Sequence, residues 1–145
     1  MSDFDNRWIH KDEWKRHGKD FLVIVSRHTS GSSEESSGCY DAEGVNRWCI
    51  YAYIYPKHPR FVEFVGDNMW QDAAELGFHG GCSYLRRHHG NDGSQTAIQV
   101  GCDYNHLGDW EYTQYATPEE ARSVFQDADA IFDRLEVPAK QREAV

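Results

Sequence analysis

Apolar residues in this chain fall into short blocks and one long periodic stripe. Phe21 to Val25 (FLVIV) is a continuous aromatic and β-branched run, which predicts a buried strand. Asn46 to Tyr55 (NRWCIYAYIY), closed by Pro56 and Pro59, predicts a second strand inside a sheet. Gly81 to Arg87 (GCSYLRR) and Thr96 to Tyr104 (TAIQVGCDY) predict two more. The Asn, Asp and Gly residues of His88 to Gly93 between them suit a hairpin connection and antiparallel pairing. From Arg60 to Gly77 the apolar positions fit one or two short helical turns, interrupted at Gly66 and Asp67.

The C-terminal stripe is the clearest element. Ala121, Val124, Phe125, Ala128, Ile131, Phe132 and Leu135 recur at spacings of three and four, the period of a helix with one apolar face. Thr117 is placed to cap it, Pro118 suits its first position, Glu120 completes a Thr-x-x-Glu capping box, and Pro138 marks its end. Asp127, Asp129 and Asp133 lie off the stripe and read as a solvated face. The first 20 residues alternate charges with Trp8, Ile9 and Trp14, and read as a short helix or an extended arm.

These elements predict an α+β fold: a small, mainly antiparallel sheet of three to five strands, with a C-terminal amphipathic helix packed on one face. At 145 residues the chain fits a single domain over 1–145, with its core over 46–136 and a serine-rich, flexible loop over 29–45. The apolar runs fall below the ~20 residues that span a bilayer, and no signal peptide is legible, so the expected location is the cytoplasm. Fifteen Lys and Arg against 24 Asp and Glu leave a formal charge of −9. An acidic domain repels polyanions unless a local patch or a metal reverses the field, which argues against a general or sequence-specific grip on nucleic acid. Cys39, Cys49, Cys82 and Cys102 form no Cys-x-x-Cys pair and read as reduced, buried thiols.

The densest polar chemistry lies in two blocks, Phe78-His79-Gly80-Gly81-Cys82-Ser83-Tyr84 and Gly101-Cys102-Asp103-Tyr104-Asn105-His106-Leu107-Gly108-Asp109. If the hairpin forms, the start of one strand lies beside the end of the other, which brings His79 towards Asp103, His106 and Asp109 at one sheet edge. Such a group can ligate Zn²⁺, Mn²⁺ or Mg²⁺, or act as an acid–base set with His79, His106 and Asp103 as the catalytic residues. Gly80 and Gly81 let the backbone approach a ligand and offer N–H groups to an anion. The bland account is that the same residues only cap turns.

Among other candidates, Arg86 belongs to the basic run Arg86-Arg87-His88-His89, which either meets a phosphate or is a solvated hairpin tip. His58 reads as a surface-turn histidine, or as a further member of the site. Ser83 lacks the Gly-x-Ser-x-Gly elbow of a hydrolase nucleophile. Arg27-His28-Thr29 lacks the spacing and the second copy of a two-histidine phosphodiesterase.

The order Cys49, Tyr53, Pro56, His58-Pro59, then His79-Gly80-Gly81-x-Ser83-Tyr84, then Gly101-Cys102-Asp103-x-x-His106-x-Gly108-Asp109, then an acidic helix, resembles a family of small tailed-phage proteins. That family carries His-Gly-Gly-x-[Thr/Ser]-Tyr and Gly-Phe-Asp-Cys-x-His-x-Gly-Asp blocks, and the likeness covers residues 48 to 136. Ile50 replaces the family's glycine, and Cys102 precedes Asp103 where the family's cysteine follows its aspartate, which argues against the thiol as an indispensable ligand. By position the resemblance carries over His79, Asp103, His106 and Asp109. It implies a phage accessory protein working in the host cytoplasm, and by analogy with other small phage proteins a counter-defence role.

Two functions follow as expectations. In the first, the His/Asp site binds a nucleotide-derived host signal, and in its enzymatic form hydrolyses it, with Tyr84, Tyr104 and Trp110 available to stack on a base and a divalent metal held by His79, Asp103, His106 and Asp109. In the second, the acidic helix docks on a basic surface of a host defence protein and inhibits it without catalysis. Self-association is compatible with both.

Overall fold

A computed structural model describes residues 8–30, 44–106 and 108–136. Five strands form one antiparallel sheet: β1 (Trp8–Gly18), β2 (Phe21–Ser30), β3 (Asn46–Ile54), β4 (Tyr84–His89) and β5 (Gln95–Asp103), in the order β1-β2-β3-β5-β4. Helix α1 (Met69–Ala74) and a 3₁₀ turn, Phe61–Val65, fill the β3–β4 connection; a second 3₁₀ turn, Trp110–Gln114, leads to helix α2 (Arg122–Leu135). None of the described helices is long and apolar enough to cross a membrane.

The sheet forms where β-branched and aromatic residues can bury on both faces or one. Phe21, Val23 and Val25 of β2, Trp48, Ile50, Ala52 and Ile54 of β3, and Ile98, Val100 and Cys102 of β5 share one face and are all buried. Against them the N-cap Ala121 and, from α2, Val124, Phe125, Ala128, Ile131, Phe132 and Leu135 are laid, the stripe expected from the helical period. Trp48 is the centrepiece: 1% exposed, it stacks on Trp14 at 5.6 Å, meets Phe125 edge-on at 5.9 Å, and donates from Nε1 to the Tyr115 carbonyl. Each such ring pair contributes ~0.5–1.5 kcal/mol beyond area burial.

Three expectations need correction. Residues 8–18 are not a short helix; they are extended, and in place of an arm they form the outer strand β1 of the sheet, joined to β2 by the two-residue turn Lys19-Asp20, in which Asp20 adopts φ 66°. Trp14 offers the core an aromatic ring; Arg16 instead lays its guanidinium 3.7 Å from the centre of the Phe132 ring, so a charged side chain does apolar work and masks the alternation. Secondly, α2 begins at Arg122, one turn after the capping box. Half of the box forms: the Glu120 N–H donates to Thr117 Oγ1, but the Glu120 carboxylate accepts from the N–H of Ala116, at 2.9 Å, rather than from that of Thr117. Thirdly, β4 starts at Tyr84, not Gly81, because Gly80 and Gly81 take φ 70° and 89° and hold the preceding segment in a turn.

The hairpin connection tightens at Gly90–Ser94, where Asp92 Oδ1 accepts from the backbone and hydroxyl of Ser94. Most of the serine-rich loop, residues 31–43, and Pro138 lie outside the described residues. Of the cysteines, Cys39 lies there too; Cys49, Cys82 and Cys102 are free thiols, and burial pushes Cys102 up to about 12, the behaviour of an inert packing residue.

Candidate metal centre

Pairing of β4 with β5, with Tyr84 opposite Gly101, sets the start of one strand beside the end of the other and so delivers His79 to the segment after Asp103. Tyr104 continues the β5–β3 ladder by donating its N–H to the Trp48 carbonyl. Its ring is 1% exposed and forms the floor of the centre, with the His79 imidazole stacked on it at 4.4 Å and 14°. Tyr112 closes against both rings, at 5.4 Å from His79 and 4.8 Å from Tyr104.

Asp109 is the hub. Its carboxylate accepts from His79 Nε2 at 2.9 and 3.0 Å, from the His106 backbone N–H at 2.9 Å, and from His106 Nδ1 at 3.1 Å. Asp109 is 8% exposed, and burial alone would raise its carboxyl; the hydrogen bonds from His79 and His106 outweigh that and hold it below the usual carboxylate range. One ligand atom from each of His79, His106 and Asp109 lies within 4.8 Å of the others. Two imidazoles and a carboxylate around one point suit a borderline cation such as Zn²⁺, or Mn²⁺ with waters completing the shell.

Asp109 itself is fixed by the turn that follows. Thr113, buried, accepts from the Gly44 N–H at its Oγ1 and donates the hydroxyl to Trp110 O, while its carbonyl accepts from Asn46 Nδ2. The turn carrying the hub is thus tied to the start of β3. Gly80 contributes space rather than an anion nest: a Cβ there would lie 3.1 Å from His106 Cε1, and the Gly81 N–H is spent on the Phe78 carbonyl.

The structure divides the residues singled out from sequence. His79, His106 and Asp109 converge. Asp103 stands at the rim, its side chain 47% exposed and its Oδ1 3.7 Å from His106 Nε2, while it also accepts from the Asn105 N–H. Trp110, 57% exposed, adjoins Asp109. Tyr104 is too buried to stack on a ligand, and its hydroxyl donates to Asp127 Oδ2 at 2.5 Å, so Asp127 is not simply solvated. Asp129 likewise pairs with Arg16 at 2.8 Å. Tyr84 and Arg86 point to the other face of the sheet, where Tyr84 meets Tyr51 edge-on. His58 is at the opposite end of the sheet and 4% exposed, its Nδ1 accepting from the Arg60 N–H and its Nε2 donating to the Leu135 carbonyl at 2.7 Å. A cavity of about 360 Å³ lies beside it, lined by Lys19, Phe21, Lys57 and Leu135, away from the metal centre.

Tyr112 and Thr113 carry no reading from the sequence, and Asp127 reads there only as part of a solvated face. Their neighbours, an aromatic and an acid at ordinary spacings, carry no motif; only the fold shows that they buttress the centre. Comparison of the chain with protein-family models, with characterised proteins and with solved structures finds no match.

Proposed function

We propose that His79, His106 and Asp109 hold a divalent cation, and that the protein acts through it on a phosphate-bearing, nucleotide-derived ligand, as a binder or as a phosphodiesterase. The observation that carries this reading is the convergence of two imidazoles and one buried carboxylate on a common point at an accessible surface. A divalent cation supplies polarisation of a phosphoryl oxygen and acidifies a water, and it reverses the negative field that would otherwise exclude phosphate from this acidic chain. Asp103 at the rim is positioned to accept a proton on the solvent side, and exposed Trp110 offers a ring beside the centre for a base. The sequence blocks that resemble those of small phage proteins are the support for directing such an activity at a host signal. The alternative, an acidic helix inhibiting a host defence protein, has less support because Asp127 and Asp129 are already engaged within the fold.

The test couples elemental analysis of the purified protein with mass spectrometry after incubation with cyclic and ADP-ribose-derived nucleotides in Mn²⁺ or Zn²⁺. Stoichiometric metal with retained nucleotide establishes a binder, and new products establish an enzyme. A protein that takes up neither metal nor nucleotide overturns the reading.

A further inference from the structure

Helix α2 covers one face of the sheet; the other face carries a different chemistry. Antiparallel register sets its side chains in rows running across the strands: His17, Leu22, Tyr53, Gln99 and Arg86 in one, Lys15, Ile24, Tyr51, Gly101 and Tyr84 in the next, and Glu13, Ser26, Cys49 and Asp103 in a third. Three tyrosines therefore cluster on β3 and β4. Gly101 makes the cluster possible: a Cβ there would stand 2.5 Å from a Tyr51 ring carbon and 2.5 Å from the Ile50 carbonyl, so the Tyr51 ring lies over the glycine and reaches Tyr84 at 5.4 Å. Tyr53 lies against His88 at 5.8 Å and 33°, and His88 is held by a 2.8 Å bond from Nε2 to Gln99 Oε1. Tyr51, Tyr53, Tyr84 and His88 are all only half-buried.

Charge on this face runs against the rest of the molecule. The chain has a formal charge of −9, yet among the described residues the register sets Lys11, Lys15, Arg47 and Arg86 on this face against Glu13 and Asp103; Lys11 and Lys15 share the single Glu13 carboxylate, at 3.3 and 3.9 Å, so the face keeps a positive balance. The Lys11 and Lys15 side chains are 55% and 50% exposed, and Arg86 is exposed on the far side of the rings. Cations thus flank an aromatic floor, and a row of five strands spans roughly 19 Å at ordinary strand spacing, room for a few nucleotides. Like charges across a two-fold axis disfavour self-association through this face, whereas a polyanion carrying stackable rings satisfies both features at once.

We infer that this open face of the sheet is a platform for single-stranded nucleic acid, with bases stacked on Tyr51, Tyr53 and Tyr84 and phosphates held by Lys11, Lys15 and Arg86. The platform uses none of the metal-centre residues, and the two readings fail separately.

Fluorescence anisotropy with labelled oligo-dT and oligo-U, recorded in EDTA and compared with a DNA duplex, tests it. Both single strands bind and the duplex binds more weakly. Three phosphate contacts give a slope of log affinity on log salt of about −2. Tyr84→Ala weakens binding roughly 5- to 150-fold while Tyr84→Phe retains it, and Arg86→Glu, an exposed change that leaves folding intact, weakens binding and flattens the salt slope. Absence of oligonucleotide binding at low salt overturns the inference, as does binding indifferent to both Tyr84→Ala and Arg86→Glu. Binding that vanishes in EDTA also overturns it and moves the ligand to the metal centre, and sedimentation showing a dimer dissolved by Arg86→Glu assigns the face to a second copy of the chain.

Discussion

His79 and Asp109, 30 residues apart in the chain, meet with the imidazole Nε2 2.9 and 3.0 Å from the two carboxylate oxygens. The same carboxylate also takes the N–H and Nδ1 of His106, so four donor contacts depend on one buried group. Asp109→Asn preserves shape but turns one acceptor into a donor facing other donors. It is expected to cost about 1–3 kcal/mol in urea denaturation with unchanged m-value. A loss under about 0.5 kcal/mol, within the range of ordinary surface substitutions, shows that the hub does not organise the turn.

The ligand set can be separated from its rim by elemental analysis. His79→Ala, His106→Ala and Asp109→Asn are expected to lose the cation, whereas Asp103→Asn, altering a half-exposed group 3.7 Å from His106, keeps stoichiometric metal at reduced affinity. Equal loss in all four variants makes Asp103 a full ligand.

Gly80→Ala removes no donor atom yet is expected to weaken cation binding. Position 80 has φ 70°, and the added methyl would lie 3.1 Å from the His106 ring. The left-handed backbone costs ~1–2 kcal/mol, and the His106 ring must give way, which disturbs its position against Asp109. Isothermal titration with Zn²⁺ against wild type measures the effect; undiminished affinity shows that His106 tolerates displacement.

His58 predicts a pH dependence of stability. Burial lowers its pKa below 6.5; the bond to the Leu135 carbonyl opposes this, Arg60 adds to it, and Asp20 opposes it. The unfolded chain then binds the proton more readily than the folded one, so stability is full above about pH 6.5 and falls as pH drops from there towards the lower folded pKa. Geometry gives the same sign, since Nδ1 accepts from the Arg60 N–H and cannot do so once protonated. Melting temperatures between neutral and mildly acidic pH are expected to fall more steeply for wild type than for His58→Gln; parallel curves would refute a neutral His58.

Tyr104→Phe is expected to cost ~0.5–1.5 kcal/mol by deleting the bond to Asp127, while the ring stays under His79 and cation binding persists. Thermal unfolding and titration of the same variant check both halves; loss of cation binding would make the hydroxyl part of the centre.

What could be read from the sequence follows from the range of the interactions involved. The α2 stripe and the β2 and β3 runs are local periodicities, and the structure has these elements there, although β2 continues past its apolar run through Ser26-Arg27-His28-Thr29 to Ser30, where the pattern has a loop from Thr29. Juxtaposition of His79 with His106 and Asp109 was legible because one hairpin implies it. The side of the sheet was not: Tyr104 and Tyr84 differ in facing because Tyr84 pairs with Gly101, a register that composition does not reveal. His58 is buried by a partner 77 residues away, a contact with no local trace. β1 stayed hidden because Arg16 substitutes its stem and guanidinium for an apolar residue.

Strands β1 and β4 form the two margins of the described sheet, and they are its most heavily charged members: Lys11, Asp12, Glu13, Lys15 and Arg16 on one side, Arg86 and Arg87 beside His88 and His89 on the other. An apolar margin would recruit further chains by backbone pairing and seed fibres. Here any incoming strand must dehydrate several ionic groups before it gains one ladder bond, and that penalty guards the fold against uncontrolled extension.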